Sequence, residues 1–216
     1  MKIFIVQISC TNSLRLAAAI ALRLGAPVYM PHKCVCGAEA DALGGHALVC
    51  GKIKGRHVRH RHANSAIQRA MAAAEIPTTL EPAGLSLSDE RRPDGQTLLP
   101  WSRGKPLVWD FTCLHRLAAS YARKAVEKGS GVAEIGEERK RRTYADLEGQ
   151  FLIQPVAVET LGGIGADSMR FIGDLGRRIS QITGEPRETI FLRQRLGILI
   201  QLGNAVSILE SFENFN

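Results

Sequence analysis

Between Leu107 and Leu114 the chain reads Leu-Val-Trp-Asp-Phe-Thr-Cys-Leu, an apolar, strand-forming run interrupted by one acid. Such a run predicts a buried strand. Side chains alternate along a strand, so Val108, Asp110 and Thr112 share one face and Leu107, Trp109 and Phe111 the other. An unpaired carboxylate buried there would cost several kcal/mol, on the order of what a whole domain has to spare. Asp110 therefore needs a partner, such as a metal ion. Asp94, ahead of the strand-like Gln96–Trp101, is the natural companion, because adjacent antiparallel strands can bring two carboxylates to one site. Two such oxygens suit Mg²⁺ or Mn²⁺, which keep waters and activate one for attack on phosphate. Asp94 also stands before Gly95, and a plain turn is its alternative role.

A second cluster lies upstream. Cys34, Cys36, His46 and Cys50 put three thiols and an imidazole into seventeen residues, with glycines between the pairs. These are the soft ligands of a closed tetrahedral Zn²⁺ site; a loop of small buried cysteines is the alternative, and His32 is a spare ligand. The first pair is tighter than the usual spacing. The segment Gly51–His62 that follows holds five Lys or Arg and three His. Lys52, Lys54, Arg56, Arg59 and Arg61 suit phosphate contacts, or simply a solvated helix face. Ala63, Ile67, Ala70, Met71 and Ala74 then recur at helical spacing, so the basic run leads into an amphipathic helix ending near Pro77.

Charge and length narrow the partners. With 216 residues, 45% of them hydrophobic, the chain can bury a substantial core. Lys and Arg outnumber Asp and Glu by 28 to 21, giving +7, which favours a polyanion over an acidic or neutral partner. No apolar run reaches the roughly 18 residues that span a bilayer, and the opening stretch lacks a signal-peptide pattern. A soluble intracellular protein is expected. Five cysteines, three of them crowded between Cys34 and Cys50, read as ligands and not as a disulfide framework.

The remaining elements follow from periodicity. A packing helix begins near Ser13 and ends at Gly25 and Pro27. An extended Thr78–Glu81 precedes the two strands described above. Leu117–Gly129 and Gly131–Gly149 are helical in pattern. Phe151–Thr160 is a strand whose Pro155 demands an edge position, the strand's start or a bulge. Two helices close the chain, one near 166–182 and one after Pro186, the latter interrupted at Gly203-Asn204. The expected units are an N-terminal helical segment (1–33), a zinc knuckle with its basic run (34–56) and a third region (57–216).

The order helix, three strands, helix, fourth strand matches the α/β core of restriction-endonuclease-like PD-(D/E)xK nucleases. Arg92-Pro93-Asp94, separated from Asp110 by fifteen residues, follows a Cys-Cys-His-Cys knuckle and precedes a Lys-x-x-x-Tyr helix. From about Ser13 to Asn204, the chain resembles the C-terminal endonuclease region of non-LTR retrotransposon polyproteins of the restriction-like type. Gly55-Arg-His, Glu81-Pro-Ala-Gly-Leu, Trp109-Asp-Phe-Thr, Tyr144-Ala-Asp-Leu, Val158-Glu-Thr-Leu-Gly and Gly203-Asn-Ala belong to the likeness. The resemblance implies a nuclease that nicks chromosomal DNA to prime reverse transcription, with a nuclear location. Double-stranded DNA is its partner, element RNA a further one, and in relatives the reverse-transcriptase domain of the same polyprotein.

Carried over by residue, Asp94 and Asp110 are the Mg²⁺- or Mn²⁺-binding acids, and Glu81 is a candidate third. Thr112 stands where the general motif has its lysine, and a hydroxyl cannot replace an ammonium beside the attacking water. The resemblance moves that lysine to the following helix, making Lys140 the candidate, with Tyr144 one turn later and Lys124 the second choice. Lys140 also sits in the charge run Glu137–Arg142, which would be solvated in most proteins. Gly45 replaces a second histidine, and His115 stands where relatives commonly have an acid, adding positive potential beside the active site if protonated. The expectation is a metal-dependent DNA endonuclease. Its alternatives are an inactive zinc-dependent nucleic-acid-binding module and a zinc-stabilised protein-interaction domain using the apolar helices Ile190–Leu202 and Val206–Leu209.

Overall fold

The computed structural model describes residues 11–85, 92–118, 121 and 130–212. Six α-helices and six strands are defined among them: α1 (Thr11–Leu24), β1 (His32–Lys33), β2 (Glu39–Ala40), α2 (Gly45–Val49), α3 (Gly55–Ala73), β3 (Thr78–Leu80), β4 (Gly95–Thr97), β5 (Leu107–Leu114), α4 (Gly131–Thr143), β6 (Leu152–Glu159), α5 (Ala166–Thr183) and α6 (Glu188–Leu209). The opening segment 1–10, Lys124 and most of the expected Leu117–Gly129 helix lie outside the described residues.

β3, β4, β5 and β6 form one mixed sheet in that order, with the first three antiparallel and β5 and β6 parallel. Among the described residues β6 is thus an edge strand, one of the positions that suit Pro155. Leu107, Trp109 and Phe111 join Val156 and Val158 in a core capped by α3, α5 and α6. Helix α3 contributes Ala63, Ile67, Ala70 and Met71 to it, and Ala74 at its end follows, so its apolar stripe is buried. The other face of β5 carries Asp110 and Thr112 and is covered by α4. A Cβ at Gly136 of α4 would sit 3.0 Å from the Thr112 methyl and 3.2 Å from Ala157 Cβ. Any larger residue would push these neighbours aside, so glycine suits this close approach of helix to sheet, and the next turn of α4 lies over Asp110.

A second apolar cluster joins α1 to the cysteine segment and to the end of α6. Ala18, Leu22, Val28, Tyr29, Leu48 and Ile53 meet Ala205 and Ile208 there. The expected boundary between 56 and 57 falls in the first turn of α3.

Three expectations are corrected. The strand expected over Gln96–Trp101 is only Gly95–Thr97, because the Thr97 hydroxyl accepts the Leu107 N–H and donates to Leu99 O, replacing further ladder bonds. The helix expected to reach Gly149 stops at Thr143, and a 3₁₀ turn over Ala145–Leu147 follows, because Tyr144 turns inward to the sheet. Helix α6 runs uninterrupted through Gly203 and Asn204. Gly203 is there for contact, not for termination: a Cβ would meet Arg59 Cγ at 2.3 Å and Arg59 Cα at 3.2 Å. Gly203→Ala is expected to destabilise the protein by about 1–3 kcal/mol through overpacking of the α3–α6 crossing, measured by urea unfolding.

The inner face of α6 is covered, with Leu192, Leu196 and Ile200 in the main core. Its outer edge is not. Ile190, Ile198 and Leu202 line an open groove of about 1030 Å³ with Leu16, Ile20 and Leu24 of α1. No helix among the described residues is long and apolar enough to cross a membrane.

Candidate functional site

Asp110 is 6% exposed and lies at the centre of β5, as the alternation requires. Side chains from three further elements converge on this point of the sheet. From α4, the Lys140 ammonium comes to 2.7 Å of Asp110 Oδ1, and Tyr144, capping that helix, donates its hydroxyl to Oδ2 at 2.5 Å. From the turn before β4, Asp94 accepts the Phe111 N–H at Oδ2, 2.6 Å away. Asp94 thus precedes β4 and also sends its side chain across to the neighbouring strand. From α3, His60 Nε2 approaches the same Asp94 oxygen at 3.1 Å.

The electrostatics are those of two acids that crowd each other. Burial pushes the Asp110 carboxyl above its usual range and the Asp94 charge adds to this, while Lys140 and Tyr144 work against it. Asp110 Oδ1 is held by the Lys140 ammonium, and the Tyr144 hydroxyl takes the other oxygen. The hydrogen bond to Asp94 raises the pKa of the half-exposed His60 against partial desolvation, helped by the charges of Asp94 and Asp110. Glu81 has an exposed side chain and a left-handed backbone with φ 47. Its N–H donates to Asp94 O, which holds its backbone beside the site.

His60 does not stand out in the sequence, because it is one of several histidines in a basic run. Its spacing of four from Asn64 is the legible signal: Asn64 Nδ2 lies 3.3 Å from His60 Nδ1, and Asn64 Oδ1 accepts the Trp109 indole N–H.

The basic run divides on folding. Lys52, Lys54, Arg56 and Arg61 are exposed. Arg59 is a correction: it is 2% exposed and cannot face a phosphate. Its guanidinium instead donates to Asn204 Oδ1, Ser207 Oγ and Leu48 O, tying α3 to α6 and to the end of α2. His115 is a second correction. It lies five residues beyond Asp110, about 16 Å along the strand at roughly 3.3 Å per residue, so it adds no potential at the acids. It is buried against Thr160, and burial, together with the charge of Arg59, lowers its pKa.

Cys34, Cys36, His46 and Cys50 come together as one cluster whose ligand atoms all lie within 4.8 Å of one another. These residues can hold a metal ion such as zinc. Cys34 Sγ and Cys50 Sγ are 3.9 Å apart, and Cys36 Sγ is 3.3 Å from His46 Nε2. A tetrahedral ion with Zn–S of about 2.3 Å spaces its sulfurs by ~3.8 Å, close to the Cys34–Cys50 separation. Asp41 shapes the loop: its carboxylate accepts the backbone N–H groups of Leu43, Gly45 and His46. Burial would raise the Asp41 carboxyl, but those donors together hold it below its usual range. Burial also raises the Cys34 thiol to about 11, whereas a backbone N–H at Ala38 lowers Cys36 to about 7. His32 does not join the cluster. It stacks on Phe212 and bonds to Ser211 Oγ.

No protein-family model matches the chain, and no curated protein matches it.

Proposed function

We propose that this chain is a restriction-like, metal-dependent DNA endonuclease domain derived from a non-LTR retrotransposon. The observation that carries the reading is the convergence of Asp94, Asp110, Lys140 and Tyr144 on one point of the sheet. The order helix, three strands, helix, strand and the parallel pairing of β5 with β6 support it.

The donor set fits a hard divalent cation, since the buried Asp110 carboxylate lies close enough to that of Asp94 for the two charges to oppose each other. Asp94 and Asp110 would hold Mg²⁺ or Mn²⁺, with Glu81 as a further acid at the rim. When bound, that ion supplies charge stabilisation at the scissile phosphate and a more acidic water. Lys140, close to Asp110 Oδ1, orients the attacking water and offsets charge that develops on phosphate oxygens. Tyr144 has a single proton and gives it to Asp110, which fixes the direction of that carboxylate. The exposed Lys52, Lys54, Arg56 and Arg61 bind duplex backbone, and the basic run continues in α3 to His60 at the acids. A zinc-loaded knuckle next to this run holds the duplex in place.

The reading is tested by nicking of supercoiled plasmid with Mg²⁺ or Mn²⁺. Lys140→Met is expected to lower the rate by on the order of 100- to 1,000-fold with the fold intact by circular dichroism. Wild-type rates in that variant would remove Lys140 from the site. One observation favours a second reading, a nucleic-acid-binding module without cleavage: the Lys140–Asp110 ion pair already compensates the buried acid without a cation. Salt-sensitive DNA binding by a wild-type protein that never nicks would favour it.

A further inference from the structure

We infer that His60 is a positioning residue of the acid site, with its proton placed on Nε2 by Asn64 and Trp109 so that it holds Asp94 in place. The inference rests on the endonuclease reading for its consequence, and on hydrogen-bond directions alone for its geometry. An indole nitrogen can only donate, so the Trp109 contact at 3.2 Å identifies the Asn64 atom facing it as the carbonyl oxygen. The other end of that amide is then NH₂, and it faces His60 Nδ1 at 3.3 Å. A donor facing Nδ1 requires an unprotonated acceptor there, so the neutral ring carries its hydrogen on Nε2. Nε2 lies 3.1 Å from Asp94 Oδ2 and donates to it. The ring plane is fixed further by an edge contact with Phe111, centroids 5.8 Å apart.

Asp94 Oδ2 thus receives two donors, the Phe111 N–H and His60 Nε2–H. The carboxylate cannot rotate without losing both, and among the described residues no donor is assigned to Oδ1, the oxygen that would face a cation. Trp109 also belongs to the main core, so the chain of contacts anchors a polar site to the buried centre of the sheet. Outer partners that orient ligating carboxylates in this way are typically worth 10- to 100-fold in metal affinity.

The experiment uses the zinc-loaded full chain with Mn²⁺ as the probe. Long-range ¹H–¹⁵N NMR of histidine-labelled protein in mildly alkaline buffer is expected to give the Nε2–H pattern for His60, assigned by its loss in His60→Gln. Calorimetric titration with Mn²⁺ is expected to show about tenfold weaker binding in His60→Ala, with most of the loss recovered in His60→Gln, whose amide can still donate to Asp94. An Nδ1–H tautomer, or equal Mn²⁺ affinity in wild type and His60→Ala, overturns the inference. A wild-type protein with the Nε2–H tautomer but no Mn²⁺ binding overturns the endonuclease reading and leaves the hydrogen-bond assignment standing.

Discussion

Asp110→Asn is expected to abolish metal-dependent nicking while leaving the protein as stable as wild type, or more so. The expected loss is on the order of a thousandfold in rate, about 4 kcal/mol of transition-state stabilisation, because a neutral amide cannot hold a hard cation. The effect on stability follows from the direction of the Asp110 shift. Its folded pKa lies above the unfolded value, because burial and the Asp94 charge outweigh Lys140 and Tyr144. A carboxyl raised on folding binds its proton more tightly in the native state, so its ionisation opposes folding. That penalty is absent below the unfolded pKa of about 4, grows as pH rises toward the folded pKa and is complete above it. An asparagine removes it. Lys140 is left without its ion pair, but it is partly exposed and can turn to water. Thermal melts across the acid-to-neutral range check this: the wild type should lose stability relative to D110N as pH rises through that window. A variant that fails to fold would make Asp110 a structural acid whose charge anchors α4, and the nuclease reading would lose its centre.

The second large effect concerns the cysteine cluster. The protein is expected to carry one zinc per chain, and Cys50→Ala or a strong chelator is expected to lower the melting temperature by roughly 10–20 °C. Two observations set that size. The four ligand atoms lie within 4.8 Å of one another, and two of the pairs, Cys34–Cys50 and Cys36–His46, lie near the spacing that one tetrahedral ion imposes. The loop they close is also not an appendage, since Leu48 and Ile53 pack against Ala205 and Ile208 near the end of α6, and Leu48 O accepts from the buried Arg59. Loosening the loop therefore exposes a guanidinium site and the end of α6 as well as the cysteines. Metal analysis combined with calorimetry decides it. Metal-free protein with an unchanged melt in chelator would return the segment to a loop of small buried thiols.

Much of this is legible in the chain itself. The alternation through β5 gives the face on which Asp110 stands, because a strand has only two faces and the apolar residues claim one of them. The cysteine cluster is legible because its ligands lie close in sequence, where local loop geometry alone can bring them together. Pro155 limits the positions its strand can take because it lacks the N–H that an inner ladder would need.

Other features depend on segments far apart in the chain. Arg59 and Arg61 read alike in a basic run, and only the packing of α3 against Gly203, Asn204 and Ser207 separates a buried tie from an exposed cation. Gly203-Asn204 looks like a helix end for the same reason. A glycine that breaks an isolated helix is the residue that lets two buried helices cross at short range. His115 looks like a neighbour of the acids because its sequence separation is small, but a strand extends by about 3.3 Å per residue and carries it out of reach.

The residues of the site divide in the same way. Short-range periodicity and ligand chemistry are enough to bury Asp110 in a strand and to group Cys34, Cys36, His46 and Cys50 as a ligand set, because each needs only neighbours in the chain. The meeting of Asp94, Lys140, Tyr144 and His60 around Asp110 came from long-range packing. Those side chains arrive from a turn and two helices that are far apart in the chain, and their distances depend on how closely α3 and α4 approach the sheet.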